Sequence, residues 1–346
     1  TGYHNYGMCD VPLTSTAGLE PGMTVSVYDR LRRGFYSTFA RLTWVETGWV
    51  GLDHGIEADY AADQEPMLTT AFPLVFGHGV VAAGVRDLVI EGSRAANPDT
   101  RMDGCRGGAV YFAKSRAIEI TGVTERDYNG EGLSFQMCRD VVIRNCRFDG
   151  NTGNGMHPGA GSTGARFEDC ACAGNAMAGF FFCVRATRIT VNRCEFTANA
   201  GPGLSIGTRD NYSAITQCAI RGNGGPGILC RKMPRPTEVH SCRIEGNLLV
   251  ENAHAHGAAE IEILDEAHDL VIVRNTLRGN AAVPRAAVAA EGRVSGVFFD
   301  GNQVEGLNAV AAGPAFTAVR PTFSCGCESV EAVHYRHLPA VGAAEP

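Results

Sequence analysis

The 346-residue chain is poor in charge and in aromatic rings: 19% of its residues are charged, 8% are aromatic, and two are tryptophan. Its net charge of −7 argues against a general nucleic-acid partner, which would be held by clustered Lys and Arg. No run of about 18 apolar residues occurs, so no membrane-spanning helix and no membrane partner are expected. No window of ten residues carries a clear 3.6-residue apolar period, so helices are not expected to build the core. The first residues, TGYHNYGMCD, lack a basic start and an apolar stretch. A signal peptide is therefore expected to be absent from this chain or already removed. What the chain has instead is 45% apolar residues, 43 glycines and 13 cysteines. The odd cysteine count leaves at least one thiol without an intramolecular partner.

Those glycines and cysteines are periodic. Cys146, Cys170, Cys194, Cys218 and Cys242 stand 24 residues apart. Asn151, Asn175, Asn199, Asn223 and Asn247 keep the same interval, as do Gly155, Gly179, Gly203 and Gly227. Apolar columns run in phase, with Ile143, Phe167, Val191, Ile215 and Val239 three residues before each Cys. A fixed period in the twenties signals a solenoid, whose units bury their apolar faces by stacking. Each unit holds short segments of period-2 alternation, such as VVIRNCRF and GLSFQ, bounded by Gly and Asn. The reading is all-β: a right-handed parallel β-helix of about 24 residues per coil, with coils rising about 4.8 Å. Buried Asn at a turn bonds the backbone of neighbouring coils. Stacked Cys act as small buried hydrophobes and are expected as free thiols.

The pattern extends over residues 75–310, which is roughly ten coils, or about 50 Å of stack. Residues 1–74 read as a small N-terminal β-hairpin element, free-standing or an insertion of the β-helix. Residues 311–346 read as a cap or extension, in which Cys325 and Cys327 could bridge or bind something. No amphipathic helix covers the open N-terminal end. Either the hairpin element does so, or the chain is an N-terminally truncated fragment.

One sheet carries unusual side chains. In the strand after each ladder glycine, the first and third positions are large and apolar and point inward: Leu133, Phe135, Met156, Phe180, Phe182. The second and fourth point outward. They include Ser134, Gln136, His157, Phe181, Cys183, Ser205 and Arg231. His157 sits in GNTGNGMHPGAGSTG, where six glycines clear its neighbours and leave room for a substrate. Strand geometry puts Gln136 about 8 Å and Glu131 about 11 Å from it, Cα to Cα. Arg185 and Arg209 stack on adjacent coils, with Arg231 and Lys232 one coil further. Stacked like charges repel unless an anion answers them, and Asp210 or an anionic ligand is that answer. Phe181 reads as a sugar-stacking platform or as a covered apolar residue. Cys183 reads first as packing, with metal ligand or nucleophile as the alternative. The pair His254 and His256 is weighed as a metal site, and a plain loop is the better reading.

The motifs NGEGLSFQMC, GMHPGAGS, GFFFCVR and GLSIGTRDN resemble a group of bacterial right-handed β-helix proteins of the pectate-lyase-like superfamily. That group reads GDGISFQ, GLHPGSGS, FFCWR and SIGHKD in the same order. The segment Asn97–Phe112 is similar to its NxxLNGCRGGGI stretch. The resemblance spans roughly residues 70–280. It departs at Glu131, Thr208 and Arg209, where the group has Asp, His and Lys, and around Cys230, Arg231 and Lys232. The superfamily includes polysaccharide lyases, glycoside hydrolases, uronan epimerases and phage tailspikes. The resemblance thus implies a bacterial protein that is secreted, periplasmic or cell-surface.

These residues point to an enzyme on an extended acidic, uronate-containing polysaccharide or oligosaccharide. The simplest is a polysaccharide lyase working by β-elimination. Such a lyase needs a base for the proton beside the carboxylate and cations for the enolate charge. His157, Glu131 and Arg209 are the candidate catalytic residues. Gln136, Phe181, Arg185, Asp210, Arg231 and Lys232 are the candidate substrate-binding residues. No metal ligand set is assigned and no cofactor is required, though calcium stays open. A glycoside hydrolase would need two carboxylates about 5–9 Å apart. Glu131 and Asp210 lie over three coils apart, and Asp103 or Asp127 would have to complete the pair. A C5-epimerase would reuse the lyase residues. A non-catalytic tailspike or adhesin would need only the ladders. A homo-oligomer is open, and nothing in the sequence encodes it.

Overall fold

The computed structural model describes residues 4–32, 36–70, 73–96, 104–105, 107–279, 285–307, 311–312, 323–324 and 326–327. Asp103, Cys325, the side chain of Cys327 and nearly all of the expected C-terminal cap lie outside them. Over these residues the molecule is a parallel β-solenoid with a small antiparallel sheet at its N-terminal side. One coil shows how it is built. Leu133–Gln136, Arg139–Arg144 and Arg147–Asp149 form three strands, and Met156–Pro158 begins the next coil above Leu133. Single residues in the left-handed region turn the corners between these strands, such as Met137 at φ 52° and Asn145 at φ 51°. Repetition gives three parallel sheets. Here the first is the one that carries Leu133–Gln136, and the third has nine strands, against the roughly ten coils expected.

The core is the stack of inward columns. Phe135, Phe148, Phe167, Phe180, Phe182 and Phe196 are all fully buried along it. Burying each such ring stabilises the coil by roughly 2–3 kcal/mol. The cysteine column Cys146, Cys170, Cys194 and Cys218 is buried and unbridged.

Two ladders end sooner than the sequence period suggests. After Met233 the turn through Pro234 and Thr237 adds five residues, so Asn223 bonds to Asn252, 29 residues on. Asn247 instead takes the place above Cys218 and starts a second ladder through Asn275 and Asn302. Cys242 is likewise out of column, because Ala214 pairs with Arg243. The 24-residue interval at Cys242 and Asn247 is thus a coincidence of number.

The N-terminal element is larger than a hairpin. Asp10–Pro12, Thr24–Tyr28, Thr38–Glu46, Trp49–Leu52 and Met67–Thr70 form a five-stranded sheet. It has its own core around Val25, Leu42, Val50 and Tyr60. It packs on the flank of the coil through Phe39, whose ring centroid lies 5.8 Å from Phe76 and 5.9 Å from Tyr111.

Candidate functional site

The outward positions of the first sheet do not form an open groove. Glycine and serine columns there receive side chains from adjacent coils. A methyl group on Gly159 would overlap the Gln136 amide, which lies flat on that backbone and accepts from Ala160 N at 2.7 Å. The same holds at Gly207, which the Arg231 guanidinium covers. The clearing around His157 is therefore filled by the protein itself, not left for substrate. The turn at Gly104–Cys105 closes over the top. Gly104 O accepts from Gln136 Nε2 at 3.2 Å and from Ser134 Oγ, and its Cα rests on the Glu131 carboxylate. Glycine is needed there because any side chain would displace that carboxylate.

Under this cover lies a buried ionisable cluster. Glu131 Oε2 meets His157 Nδ1 at 2.6 Å, and Asn154 Nδ2 donates to Glu131 Oε1 at 2.8 Å. His157 is 3% exposed and its Nε2 makes no hydrogen bond of proper geometry. Next to that nitrogen sit two sulfurs: His157, Cys105 and Cys183 offer three ligand atoms within 4.8 Å of one another. Burial opposes charge on His157, but the Glu131 carboxylate and the Cys183 sulfur raise its pKa. Cys183 is held well below the usual thiol range, first by its contact with Cys105 and then by His157, against the opposing effect of burial. The arrangement favours a thiolate facing an imidazolium.

Phe181 separates this cluster from a second one. Its ring meets His157 edge-on at 5.2 Å, and Arg231 stacks on it at 4.3 Å. Arg231 donates to Phe182 O at 2.7 Å, Ser205 O at 3.0 Å and Asp210 Oδ2 at 3.3 Å. Asp210 is fully buried and caps Ala186 N and Gly207 N. Burial pushes its carboxyl up to about 7, with Arg231 and those N–H groups opposing. Asp210 thus answers Arg231, not Arg185 and Arg209 as expected. The latter two are exposed corner residues at φ 63° and 55° rather than strand positions. Lys232 is exposed on its strand. Asp127, one proposed partner carboxylate, is a corner residue 3.6 Å from Arg94. His254 and His256 lie in an irregular loop.

The open space is elsewhere. Between the N-terminal sheet and the coil runs a cleft of about 1170 Å³. Arg41, His54, His78, Lys114 and Arg185 line it, together with Phe39, Phe76 and Tyr111. Phe76 and Tyr111 stack face to face, 5.9 Å apart at 7°. Cys105 and Gln136 line the same cleft, so the buried cluster lies directly behind one wall. Burial, with Lys114 and His54 nearby, lowers the His78 pKa and keeps its imidazole neutral near pH 7. His78, Phe76, Arg41 and Phe39 escape a reading of repeats, because they come from the first coil and from outside the solenoid. Lys114 is visible in the sequence as the first residue of the Arg185–Arg209 column.

Sequence comparison matches the family described as right handed beta helix region over residues 75–215 and over 185–313. The chain belongs to the right-handed β-helix family. No curated protein matches this β-helix chain in sequence. Its fold is similar to the A-module of mannuronan C-5 epimerase AlgE6 of Azotobacter vinelandii. The TM-score is 0.52 at 20% identity, over 69% of this chain and 73% of that one. The A-module of AlgE4 from the same organism gives 0.50 at 17% identity, over 66% and 71%. At such identities the likeness concerns the β-helix fold alone.

Proposed function

We propose that this β-helix protein acts on an extended acidic polysaccharide, bound in the cleft between its N-terminal sheet and its coil. The lining of that cleft carries the reading. Lys114 and Arg185 offer positive charge for uronate carboxylates, Arg41 being paired with Asp53 on the same lining, and the Phe39–Phe76–Tyr111 wall offers flat faces for sugar rings. A substrate of this kind, and the absence of any helix long and apolar enough to cross a membrane among the described residues, suit an extracellular or periplasmic setting.

The reaction we favour is β-elimination at a uronate. A base takes the proton beside the carboxylate while cations hold the enolate charge, and the glycosyl oxygen on the next carbon leaves. Neutral His78 beside Lys114 fits base and cation. His157 does not line the cleft, so we assign it no direct contact with the sugar. C5-epimerisation is the second reading: the same proton is removed and one is returned to the opposite face. The names of the two structural neighbours, mannuronan C-5 epimerases, favour weighing it.

The test is incubation with alginate, pectate and glycosaminoglycans in heavy water. Elimination yields the unsaturated uronide chromophore, and epimerisation yields deuterium at C5 without chain cleavage. His78→Gln should lower either rate by about 10²–10⁴-fold. A panel giving neither product, and no glycan retention, would overturn the proposal.

A further inference from the structure

We infer that Cys105, His157 and Cys183 form a three-ligand site for a thiophilic divalent metal such as zinc. The inference is independent of the proposed substrate. Sγ of Cys105, Sγ of Cys183 and a ring nitrogen of His157 converge within 4.8 Å of one another, and with Nδ1 held by Glu131 the nitrogen open to a ligand is Nε2. A tetrahedral zinc ion bound at its usual lengths needs about 3.5–3.8 Å between such atoms, so a contraction of about 1 Å closes the set.

Two further observations point to a ligand. His157 Nε2 is buried, lies across the ring from the nitrogen that Glu131 holds, and is left without a hydrogen bond of proper geometry. A buried polar atom without a partner requires a reason, and an unoccupied coordination position supplies one. His157 Nδ1, in turn, is fixed by Glu131 at 2.6 Å, and Glu131 is fixed by Asn154. A carboxylate behind the far ring nitrogen is how ligating histidines are oriented and made more basic.

The three ligands come from places that the fold holds apart in sequence but stacks in space. His157 and Cys183 lie on consecutive coils of the first sheet, and Cys105 comes from the covering turn. Cys105 also lines the cleft, so a fourth ligand, water or a substrate oxygen, would come from that side. A sulfur nucleophile with a histidine partner would need one cysteine; two converging on the same nitrogen favour a metal. Glu131 is then a positioning residue, not a ligand.

The test uses the whole chain, reduced and stripped with a chelator, then titrated with Co²⁺ and with Zn²⁺. The expected result is one Co²⁺ per chain, with intense thiolate-to-cobalt absorption that Zn²⁺ displaces. Cys183→Ser, Cys105→Ser and His157→Gln should each abolish that absorption, while Cys9→Ser, at an exposed position, keeps it. Glu131→Gln should weaken binding by about 10–100-fold without changing the band positions. Circular dichroism establishes that each variant is folded. Alkylation mapping gives a readout on the wild-type protein: bound Zn²⁺ should protect Cys105 and Cys183, and no ladder cysteine, in a metal-dependent way. No stoichiometric binding by the wild type, unchanged bands in Cys183→Ser, or a Cys105–Cys183 disulfide in place of metal uptake would overturn the inference.

Discussion

Two buried polar systems cross the same coil, and they are finished differently. The asparagine side chains of the ladder through Asn151, Asn175, Asn199 and Asn223 to Asn252 are saturated. Asn199 Nδ2, for instance, donates to Cys172 O and to Asn223 Oδ1, while its Oδ1 accepts two bonds from Asn175. Carboxyls close both ends: Glu260 accepts twice from Asn252, and Glu125 accepts from Asn151 through Oε2 while its Oε1 stays buried without a partner. The Glu131–His157 pair, a coil edge away, is equally buried but leaves Nε2 facing two sulfurs. Groups that serve only to hold a coil gain nothing from an open valence, since an unmade buried bond costs about 1–3 kcal/mol. The system whose open atom lies among other ligand atoms, His157 with Cys105 and Cys183, is therefore the one to read for chemistry.

The strongest way to break the comparison is in the middle of the ladder. Asn199→Ala removes four hydrogen bonds and strands the Asn175 N–H and one Nδ2 hydrogen, the other Nδ2 bond going to Phe148 O. It should cost about 3–5 kcal/mol, read as a fall in the urea midpoint. A loss under about 1 kcal/mol would show that water enters the ladder and that saturation is not what holds it.

A smaller effect comes from the end of the ladder, and it depends on pH. Burial raises the Glu125 carboxyl to about 8, although the Asn151 bond opposes the shift. The folded chain thus keeps a proton that the unfolded chain releases above about pH 4.3. Between that pH and the folded value the unfolded state binds fewer protons, so unfolding free energy falls as pH rises. Glu125→Gln keeps an acceptor for Asn151 and removes the titration. The drop in stability from about pH 5 to 8 should shrink by on the order of 2–3 kcal/mol. An unchanged slope would place the titration elsewhere, for example at Asp210.

How much of this could be read from the chain alone follows from what repeats. The coil, its inward phenylalanines and the asparagine column up to Asn223 were written in the 24-residue period, because identical environments select identical residues. The insertion after Met233 broke the phase, and counting by 24 then misassigned Asn247 and Cys242. The first-sheet face was also located, and Glu131, Gln136, His157, Phe181, Cys183 and Arg231 do meet there. What periodicity could not give is what lies on top of a strand. Glycines beside His157 looked like room for a ligand, whereas Gln136 and the Gly104 turn occupy it. Cys105, His78 and the N-terminal sheet join the face only through tertiary packing, so no spacing announces them.

The smallest expected effect sharpens the comparison most. Cys183 is buried, yet truncating it leaves Glu131 with His157 and Asn154, and what it takes away is the contact of its sulfur with Cys105, the His157 ring and the Val184 N–H. In metal-stripped protein, Cys183→Ala should therefore cost roughly 1 kcal/mol, the value of a little apolar area and a charge contact. That is well below the ladder substitution at a comparably buried position. The urea midpoints of the two variants, measured side by side without metal, make the check. If Cys183→Ala proved as costly as Asn199→Ala, the cluster would be part of the scaffold, and its open nitrogen would lose its meaning as a site. If the two separate as expected, adding Zn²⁺ should widen the gap between wild type and Cys183→Ala alone, because a ligand that binds only the folded chain stabilises it in proportion to its occupancy.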